Sequence, residues 1–375
     1  MRLICRAVPS EGTGTTHGRR PIMRRFLLML LMLFCCLLVC SAALADKTIT
    51  LTFTGDVTLG SEERTRAQET SFDSKAAEMG YAYFFANFRD FFAEDDLTIV
   101  NLEGVIADSA RGEVKTKTYR FRAPTEFLQI LQEGNVEVAG LANNHTYDYG
   151  KQGYTATLEA LAQAEIACFG NQEVYICEKD GIRLGFLGLT SSSFKANTEW
   201  LKKEIARLKE EEGVNAVIFT AHAGQEYDKH RTPGQEYYSR YAINCGADLV
   251  IINHPHVMQG INVYKNRVVC YSLGNFCFGG NKTVRSIGSM IARVTMTFSD
   301  EGVFLGQQLA LYPIHISGTD PQNNYQPRFV TGDEANEVIR LVQIDTDYPI
   351  NPFSEELGCA LQDYVPAEPP AEEEG

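Results

Sequence analysis

Apolar runs that end in glycine or polar residues alternate, from Lys47 onward, with segments of helical periodicity. Short apolar runs between turn residues are typical of buried strands, whereas apolar residues spaced three and four apart indicate amphipathic helices. This pattern predicts strands within residues 47–57, 96–104, 136–145, 182–190, 214–224, 249–260 and 266–278. It predicts helices within residues 125–134, 153–166, 197–213 and 233–247.

Strands that alternate with helices form a largely parallel sheet with helices on its faces, so we expect an α/β fold. The pattern changes near Gly288, beyond which a β-hairpin turning at 300–302 and a closing helix are expected. We therefore expect one domain over residues 46–290, which residues 291–345 complete. Residues 346–375 are expected to be a C-terminal extension that ends in a disordered, acidic, proline-rich tail.

Residues 1–45 have the composition of a targeting segment. Basic residues precede an apolar run, and small residues follow directly before Asp46, which is the pattern of a secretory signal peptide. The run from Phe26 to Ala45 is also about long enough to span a bilayer, so a retained membrane anchor is the alternative. Met23 is a better start than the first methionine, so residues 1–22 need not be translated. We expect an extracytoplasmic protein, either secreted or anchored to the cell membrane by this segment.

The charge of the chain excludes some partners. The 375 residues have a formal net charge of −14, and because residues 1–45 contain six basic residues and one acidic residue, the remainder carries −19. We expect no nucleic acid partner, and membrane contact only through the N-terminal segment, because a strongly acidic chain lacks a general basic field. Six of the ten cysteines lie beyond residue 45 in mostly apolar surroundings. They are expected to be free thiols, with a disulfide as the alternative.

Polar side chains that can bind a metal follow most of the predicted strands. The carboxyl ends of parallel strands lie along one edge of a sheet, so these side chains are expected to converge there. Each of them alone has an ordinary structural explanation, but the set offers the oxygen and nitrogen ligands that suit Zn, Mn or Fe. Pro255 separates His254 from His256 and restricts the conformation of their loop. The candidates are Asp56, Glu103, Asn143, Asn144, His145, His222, His254 and His256.

Six motifs in this part of the chain resemble the CapA capsule-synthesis family, also called poly-γ-glutamate biosynthesis proteins. That family is similar in fold to the calcineurin-like metallophosphoesterases. The resemblance therefore implies a four-layer αββα sandwich of the metallophosphoesterase type, with metals at the strand ends. The motifs stand in the family's order between Lys47 and Phe278: TGDVTLG, NLEG, LANNHTYDYG, TAHAGQEYD, GADLVIINHPHVMQG and YSLGNF.

The resemblance also implies roles for individual residues. His145 matches a catalytic or phosphate-facing histidine, and Glu103 stands where an acidic residue would bridge two metals. Asp148, Glu226 and Gln259 match positions typical of the capsule family, and we group them as candidates for substrate binding. The residues that match metal ligands are Asp56, Glu103, Asn144, His222, His254 and His256.

This sequence departs from the family pattern at four positions. One of them is Asn253, which stands before His254 where glycine or histidine is commoner. Thr58 replaces the histidine of the metallophosphoesterase Asp-x-His motif, and Glu103 replaces the usual bridging aspartate. Ala223 stands where the capsule family usually has tryptophan. Because one histidine ligand is missing, we expect one divalent metal ion or two unequal ones.

A bound divalent metal would lower the pKa of a water molecule, and His145 could protonate the leaving oxygen as a general acid. Arg120 and Arg122 are further candidates for binding an anionic substrate, because arginine binds carboxylate or phosphate through two hydrogen bonds. Ordinary surface charges are the alternative for both arginines.

Together these features predict a protein of capsule or poly-γ-glutamate synthesis, export or anchoring with a metal-dependent, hydrolase-type site. Its expected partners are an anionic polymer or a phosphoester substrate and, as a further option, capsule-synthesis membrane proteins. The alternatives are a general secreted metallophosphoesterase and a non-catalytic polymer-binding scaffold with a degenerate metal site.

Overall fold

Two β-sheets lie face to face in this computed structural model, which describes residues 46–284 and 288–367. The strands, in chain order, are β1 (Lys47–Thr58), β2 (Leu97–Leu102), β3 (Val105–Ile106), β4 (Arg122–Ala123), β5 (Val138–Gly140), β6 (Ala167–Phe169), β7 (Tyr175–Lys179), β8 (Ile182–Thr190), β9 (Ala216–His222), β10 (Leu249–Asn253), β11 (Ile261–Tyr264), β12 (Arg267–Cys270), β13 (Asn275–Phe278), β14 (Ser289–Phe298), β15 (Phe304–His315), β16 (Arg328–Phe329), β17 (Ala360–Leu361) and β18 (Val365–Pro366).

The two sheets differ in size and in strand direction. The larger sheet runs β16-β15-β14-β1-β2-β5-β6, with β13 beside β1 and with β17 and β18 beside β15. The smaller sheet runs β11-β12-β10-β9-β8-β7, and β3 pairs separately with β4. Within them β1, β2, β5 and β6 are mutually parallel, as are β8, β9, β10 and β12. The parallel strands of each sheet therefore end together at one edge.

Helices cover the outer faces of both sheets. They are α1 (Phe72–Met79), α2 (Arg89–Phe92), α3 (Gln129–Glu133), α4 (Gly150–Gln163), α5 (Ser191–Phe194), α6 (Thr198–Glu210) and α7 (Pro233–Asn244). A further helix, α8 (Gly332–Ile344), packs its buried side chains against the core between the sheets. Helices α1 to α4 pack on the larger sheet, and α5 to α7 pack on the smaller one. Among the described residues, no helix is long and apolar enough to cross a membrane.

Strands with both faces buried explain the continuous apolar runs in the sequence. In β10, Leu249 and Ile251 point into the core between the sheets, whereas Val250 and Ile252 point toward the helices on the outside. Successive side chains of a strand point to opposite faces of the sheet. A strand in a sheet that is covered on both faces is therefore apolar at every position. The predicted four-layer αββα sandwich is confirmed by this order of helices, sheet, sheet and helices.

Two predictions about the later strands were wrong. The run 266–278 was expected to be one strand, but it forms β12 in the smaller sheet and β13 in the larger sheet. The chain changes sheets near Gly274, whose φ of 78° favours glycine. The start of the expected disordered tail is also ordered, because Val365 and Pro366 pair with β15.

Some of the remaining predictions concern residues that the structure describes, and others do not. The expected hairpin is present as β14 and β15, and the expected closing helix as α8. The six cysteines are free, as expected. The predicted signal peptide or anchor in residues 1–45 and the end of the acidic tail from residue 368 lie outside the described residues.

Asp345, directly after α8, joins two loops near the carboxyl ends of the smaller sheet's strands. Its Oδ2 accepts hydrogen bonds from the backbone N–H of Gly260 at 3.0 Å and of Arg231 at 2.9 Å. The Arg231 guanidinium lies 3.3 Å from Oδ1 of the same carboxylate. A β-carbon at position 260 would lie 2.0 Å from the Asp345 carbonyl oxygen, so the close approach requires glycine there.

Replacing Asp345 with alanine should lower the free energy of unfolding by about 2–4 kcal/mol, measured by chemical denaturation. The substitution leaves two backbone N–H groups without their acceptor and removes a partner from Arg231, whose side chain is only 10% exposed. Asp347→Ala is the matched control, because Asp347 also pairs with Arg231 but its side chain is 65% exposed. That control should change the stability by less than about 1 kcal/mol. Equal losses in both variants would contradict the assigned role of Asp345.

Candidate metal centre

Strand ends from both sheets bring the predicted donors together at one edge of the sandwich. Asp56 at the end of β1 pairs in register with Asn101 of β2. His222 at the end of β9 pairs with Asn253 at the end of β10. The two sheets meet where Asn101 Nδ2 lies 3.3 Å from His222 Nδ1. The residues joined in one network of contacts are Asp56, Glu103, Asn144, His145, His222, His254 and His256.

Asp56 is fully buried and contacts donors from both sheets. Its Oδ1 accepts a hydrogen bond from Asn101 Nδ2 at 2.7 Å, and its Oδ2 lies 3.1 Å from His256 Nδ1. A β-carbon on the preceding Gly55 would lie 2.2 Å from the Gly274 carbonyl oxygen. Glycine at position 55 therefore allows β1 and the start of β13 to approach closely enough to hold Asp56 in place.

Glu103 is the buried acid without a hydrogen-bonding partner. It is fully buried, and within the described residues neither of its carboxylate oxygens accepts a hydrogen bond. Its Oε1 lies 3.7 Å from His222 Nε2, 3.8 Å from His145 Nε2 and 3.9 Å from His256 Nε2. These distances exceed those of hydrogen bonds. Two donors that share one metal ion at about 2.1 Å lie about 3.0–3.4 Å apart, so a small contraction would suit an ion.

His222, Asn144 and His254 form a second set of closely spaced donors. His222 Nε2 lies 2.9 Å from Asn144 Oδ1 and 3.1 Å from His254 Nδ1. His222 is almost fully buried, whereas Asn144 is exposed, so this set reaches from the interior to the surface. Amide oxygen, imidazole nitrogen and the carboxylate of Glu103 are together a donor set that suits a divalent ion.

The loop that carries His254 and His256 adopts a strained backbone conformation. Both residues have positive φ, 112° at His254 and 59° at His256, which L-residues with a β-carbon rarely adopt. The Pro255 carbonyl accepts a hydrogen bond from the Tyr227 N–H at 2.8 Å, and the His254 N–H lies 3.4 Å from Asp56 Oδ2. Such strain persists only where surrounding contacts hold the backbone, and it concentrates at functional sites.

His145 is oriented by a carboxylate that is itself held on both oxygens. Its Nδ1 lies 2.7 Å from Asp148 Oδ2, which also accepts the Phe121 N–H at 2.8 Å. Lys117 Nζ contacts the other oxygen, Asp148 Oδ1. The Phe121 ring packs on the imidazole with a centroid distance of 4.6 Å. These contacts fix the imidazole so that its Nε2 faces Glu103.

Burial and charge shift the pKa values of four groups in the site. Burial raises the pKa of Glu103 well above its usual value, and the nearby Asp56 carboxylate raises it further. Burial lowers the pKa of both His222 and His254. Burial opposes charge on His256 too, but Glu103 and Asp56 raise its pKa to about 10. Both raised pKa values reflect the same closeness of Asp56, Glu103 and His256, which favours bound protons or a cation among these three side chains.

Arg120 and Arg122, the predicted anion-binding residues, contact other groups. Arg120 Nε lies 2.9 Å from Glu113 Oε1, and Arg122 pairs with Glu63 at 3.2 Å. Arg122 also donates to the Ala107 carbonyl at 2.7 Å. Side chains alternate along an extended segment, and Phe121 between the two arginines packs against His145. Within the described residues, neither arginine has a contact with the donors at the strand ends.

Of the other predicted substrate-binding residues, Asp148 orients His145, and Gln259 is buried away from solvent. Gln259 Nε2 donates to the carbonyls of Asp228 and His230, each at 2.9 Å, and its Oε1 accepts from Gln235 at 2.7 Å. Gln259 therefore supports the loop that follows β9. Glu226 lies in that loop, exposed at the surface.

Two residues that were not predicted to take part also contact the site. Asn275 Oδ1 lies 2.9 Å from His256 Nδ1, and Asn101 contacts both Asp56 and His222. Both asparagines stand inside the motifs NLEG and YSLGNF, which are the signal that could have identified them. Thr58 does not act in place of the missing histidine, because its Oγ1 donates to the Glu103 carbonyl at 2.9 Å.

Two groups of side chains in the described residues could hold a metal ion. One consists of Asp56, Glu103 and His256, all buried, and the other of Glu226, His254 and His256. Within each group the ligand atoms lie within 4.8 Å of one another. The unpartnered carboxylate of Glu103 and the chemistry of these donors fit a divalent cation.

Comparison with solved structures finds distant likenesses. A hypothetical protein from Thermus thermophilus is 14% identical with a TM-score of 0.43, and it covers 71% of this chain and 99% of its own. A novel phosphatase from Mycoplasma pneumoniae is 12% identical with a TM-score of 0.43, with coverages of 75% and 97%.

Sequence comparison finds relatives whose names concern capsule synthesis. The chain is 28% identical over 300 residues to a capsule biosynthesis protein CapA of Bacillus anthracis, covering 73% of this chain and 69% of that one. It is 28% identical over 255 residues to the PGA biosynthesis protein CapA of Bacillus subtilis, with coverages of 62% and 64%. The chain thus spans about two thirds of the length of these relatives.

The sequence model of the bacterial capsule synthesis proteins PGA_cap matches residues 50–280, well over half of the chain. The family suggested by the motifs is thereby confirmed, and this chain belongs to the PGA_cap family of bacterial capsule synthesis proteins.

Proposed function

We propose that this protein works outside the cytoplasm in the synthesis, export or anchoring of a capsule or poly-γ-glutamate polymer, through a metal-dependent hydrolase-type site. The observation that carries the proposal is the buried Glu103 carboxylate, which has no hydrogen-bonding partner among the described residues and faces three imidazoles. Membership of the capsule-synthesis family supports the polymer role. The composition of residues 1–45 supports the location.

The proposed centre has two overlapping parts that share Glu103. Asp56, Glu103 and His256 would hold one divalent ion, which could be Mn, Fe or Zn. Glu103 would join Asn144, His222 and His254 around a second ion. The first part offers three protein donors and the second four, so the two positions are expected to differ in affinity.

The metal, when bound, would polarise a phosphoryl or carbonyl oxygen of the substrate and lower the pKa of a bound water molecule. His145 would donate a proton from Nε2 to the leaving oxygen, because this nitrogen faces the centre while Nδ1 is held by Asp148. The Asp148 carboxylate would stabilise the imidazolium and fix its orientation. Lys117, at the other oxygen of Asp148, would hold that carboxylate in place.

The proposed substrate is a phosphoester or an anionic polymer, and capsule-synthesis membrane proteins are proposed partners. The strongly acidic chain repels polyanions over most of its surface, so an anionic substrate must be attracted locally. Bound divalent ions at the strand ends would supply that local positive charge. The buried, oriented His145 favours a catalytic site over a polymer-binding scaffold, which needs no positioned proton donor.

Replacing His254 with alanine should remove at least one equivalent of bound metal, measured by elemental analysis of the purified protein. His254 contacts His222 and belongs to one of the groups that could hold an ion. His230→Ala is the matched control, because the side chain of His230 is 65% exposed and pairs with the surface residue Asp228. The control should keep the wild-type metal content. Unchanged metal content in His254→Ala, or none in the wild type after reconstitution, would refute the proposal.

Metal affinity should rise with pH, by up to about tenfold per pH unit for each proton displaced. In the metal-free protein His256 holds a proton below its pKa of about 10, so a metal must displace that proton throughout the neutral range. Burial lowers the pKa values of His222 and His254, so these two imidazoles are expected to contribute less to the pH dependence than His256. Competition titrations between about pH 6 and 8 would measure the slope, and calorimetry in different buffers would count the released protons. A flat affinity over this range would be inconsistent with His256 as a ligand.

Replacing His145 with alanine should lower turnover by about 10²–10⁴-fold and leave the metal content unchanged, because the substitution removes the proton donor and no assigned metal ligand. The measurement is steady-state turnover on a panel of phosphoesters and γ-glutamyl polymers, with metal content determined in parallel. The exposed His230→Ala variant again serves as the control. Polymer binding without turnover in the wild type, unchanged in His145→Ala, would favour the scaffold function instead.

A further inference from the structure

Glu226 is a carboxylate that approaches the site from the solvent side. Its carboxylate oxygen and ring nitrogens of His254 and His256 all lie within 4.8 Å of one another. Glu226 is exposed, His254 is half-buried and His256 is buried, so the group leads from solvent into the interior. Within residues 46–284 and 288–367, no lysine or arginine forms an ion pair with Glu226.

The group that contains Glu226 is not independent of the buried group. His256 belongs to both, together with Glu226 and His254 in one and with Asp56 and Glu103 in the other. A neutral imidazole offers only one unprotonated nitrogen. The two groups therefore cannot be separate sites that both use His256. They are the buried side and the exposed side of one centre.

The backbone on both sides of Glu226 is fixed to the histidine loop. The Ala223 N–H donates to the Asn253 carbonyl at 3.0 Å, and the Tyr227 N–H donates to the Pro255 carbonyl at 2.8 Å. Farther along, the Gln259 side chain holds the carbonyls of Asp228 and His230. Glu226 is thus held beside His254 and His256 by contacts that do not involve its own side chain.

A separate observation indicates that a cation belongs here. Glu103, fully buried, has two carboxylate oxygens without a hydrogen-bonding partner among the described residues, and Oε1 faces His256 Nε2 at 3.9 Å. Glu226 would therefore add an exposed carboxylate to a centre whose buried carboxylate lacks a hydrogen-bonding partner among the described residues.

We propose that Glu226 is a metal ligand that joins the centre from the solvent side, beside His254 and His256. This inference rests on the proposed metal-dependent function and goes beyond it, because it adds a ligand from the loop after β9. As the exposed acid of the centre, Glu226 is also the donor that an incoming anionic substrate can displace most easily. The loop would then link substrate entry to metal coordination.

The test compares the metal-free wild type with Glu226→Gln and Asp228→Asn, each titrated with Mn²⁺ alone. Free Mn²⁺ is followed by electron paramagnetic resonance, which gives the number of bound ions and their dissociation constants. Glutamine keeps the shape of the side chain and removes its charge. Asp228 is the matched control, since it is an acid two residues away whose side chain is 47% exposed and pairs with His230. Thermal unfolding of the metal-free forms verifies that all three are folded.

We expect Glu226→Gln to bind its weakest Mn²⁺ ion at least about tenfold less tightly, or to lose it, while Asp228→Asn matches the wild type. Equal stoichiometry and affinity in wild type and Glu226→Gln would overturn the assignment of Glu226 and leave the proposed function standing. A loss of the same size in Asp228→Asn would also overturn it, because general surface charge would then explain the effect. A wild type that binds neither Mn²⁺ nor, in a repeat titration, Zn²⁺ would overturn both this inference and the proposed function.

Discussion

Buried negative charge at the meeting point of the two sheets is the constraint on which the rest of the site depends. Asp56 and Glu103 are both fully buried at strand ends. Asp56 is compensated by Asn101 and His256, but among the described residues the carboxylate of Glu103 has no hydrogen-bonding partner. An unpaired buried charge costs several kcal/mol, so a fold that keeps one must neutralise it in another way. A divalent cation among three imidazoles would neutralise both acids at once.

The fold meets this constraint by bringing two parallel sheets to the same edge. The larger sheet supplies Asp56 and Glu103, and the smaller sheet supplies His222 and the His254–His256 loop. Asp56 and His254 are 198 residues apart in sequence, but the His254 N–H lies 3.4 Å from the Asp56 carboxylate because the two sheets meet there. Strands buried on both faces hold these ends rigidly, which explains how strained backbone at His254 and His256 can persist.

Most of the residues of the site could be predicted from the sequence, because polar residues that follow apolar strands of a parallel sheet lie at the same edge of that sheet. Asp56, Glu103, Asn144, His222, His254 and His256 meet because parallel strands end together. The sequence could not show which sheet each strand joins, because β12 and β13 both have apolar faces on two sides. That assignment depends on the turn around Gly274. The sequence also could not show in which direction each side chain points. In the segment YRFRAP, Phe121 contacts His145, whereas Arg120 and Arg122 pair with acidic residues outside the site. A motif therefore locates a residue near the chemistry without fixing its role.

The support of the site extends beyond the part of the chain that the family model matches. Residues 50–280 carry every proposed ligand, yet Asp345 holds the N–H groups of Gly260 and Arg231, one in each of the two loops that carry the histidines and Glu226. These loops follow β9 and β10, so their positions set the distances between His254, His256 and Glu226. Because a metal site tolerates errors of only a few tenths of an ångström, the segment after α8 is part of what makes the site able to bind a metal.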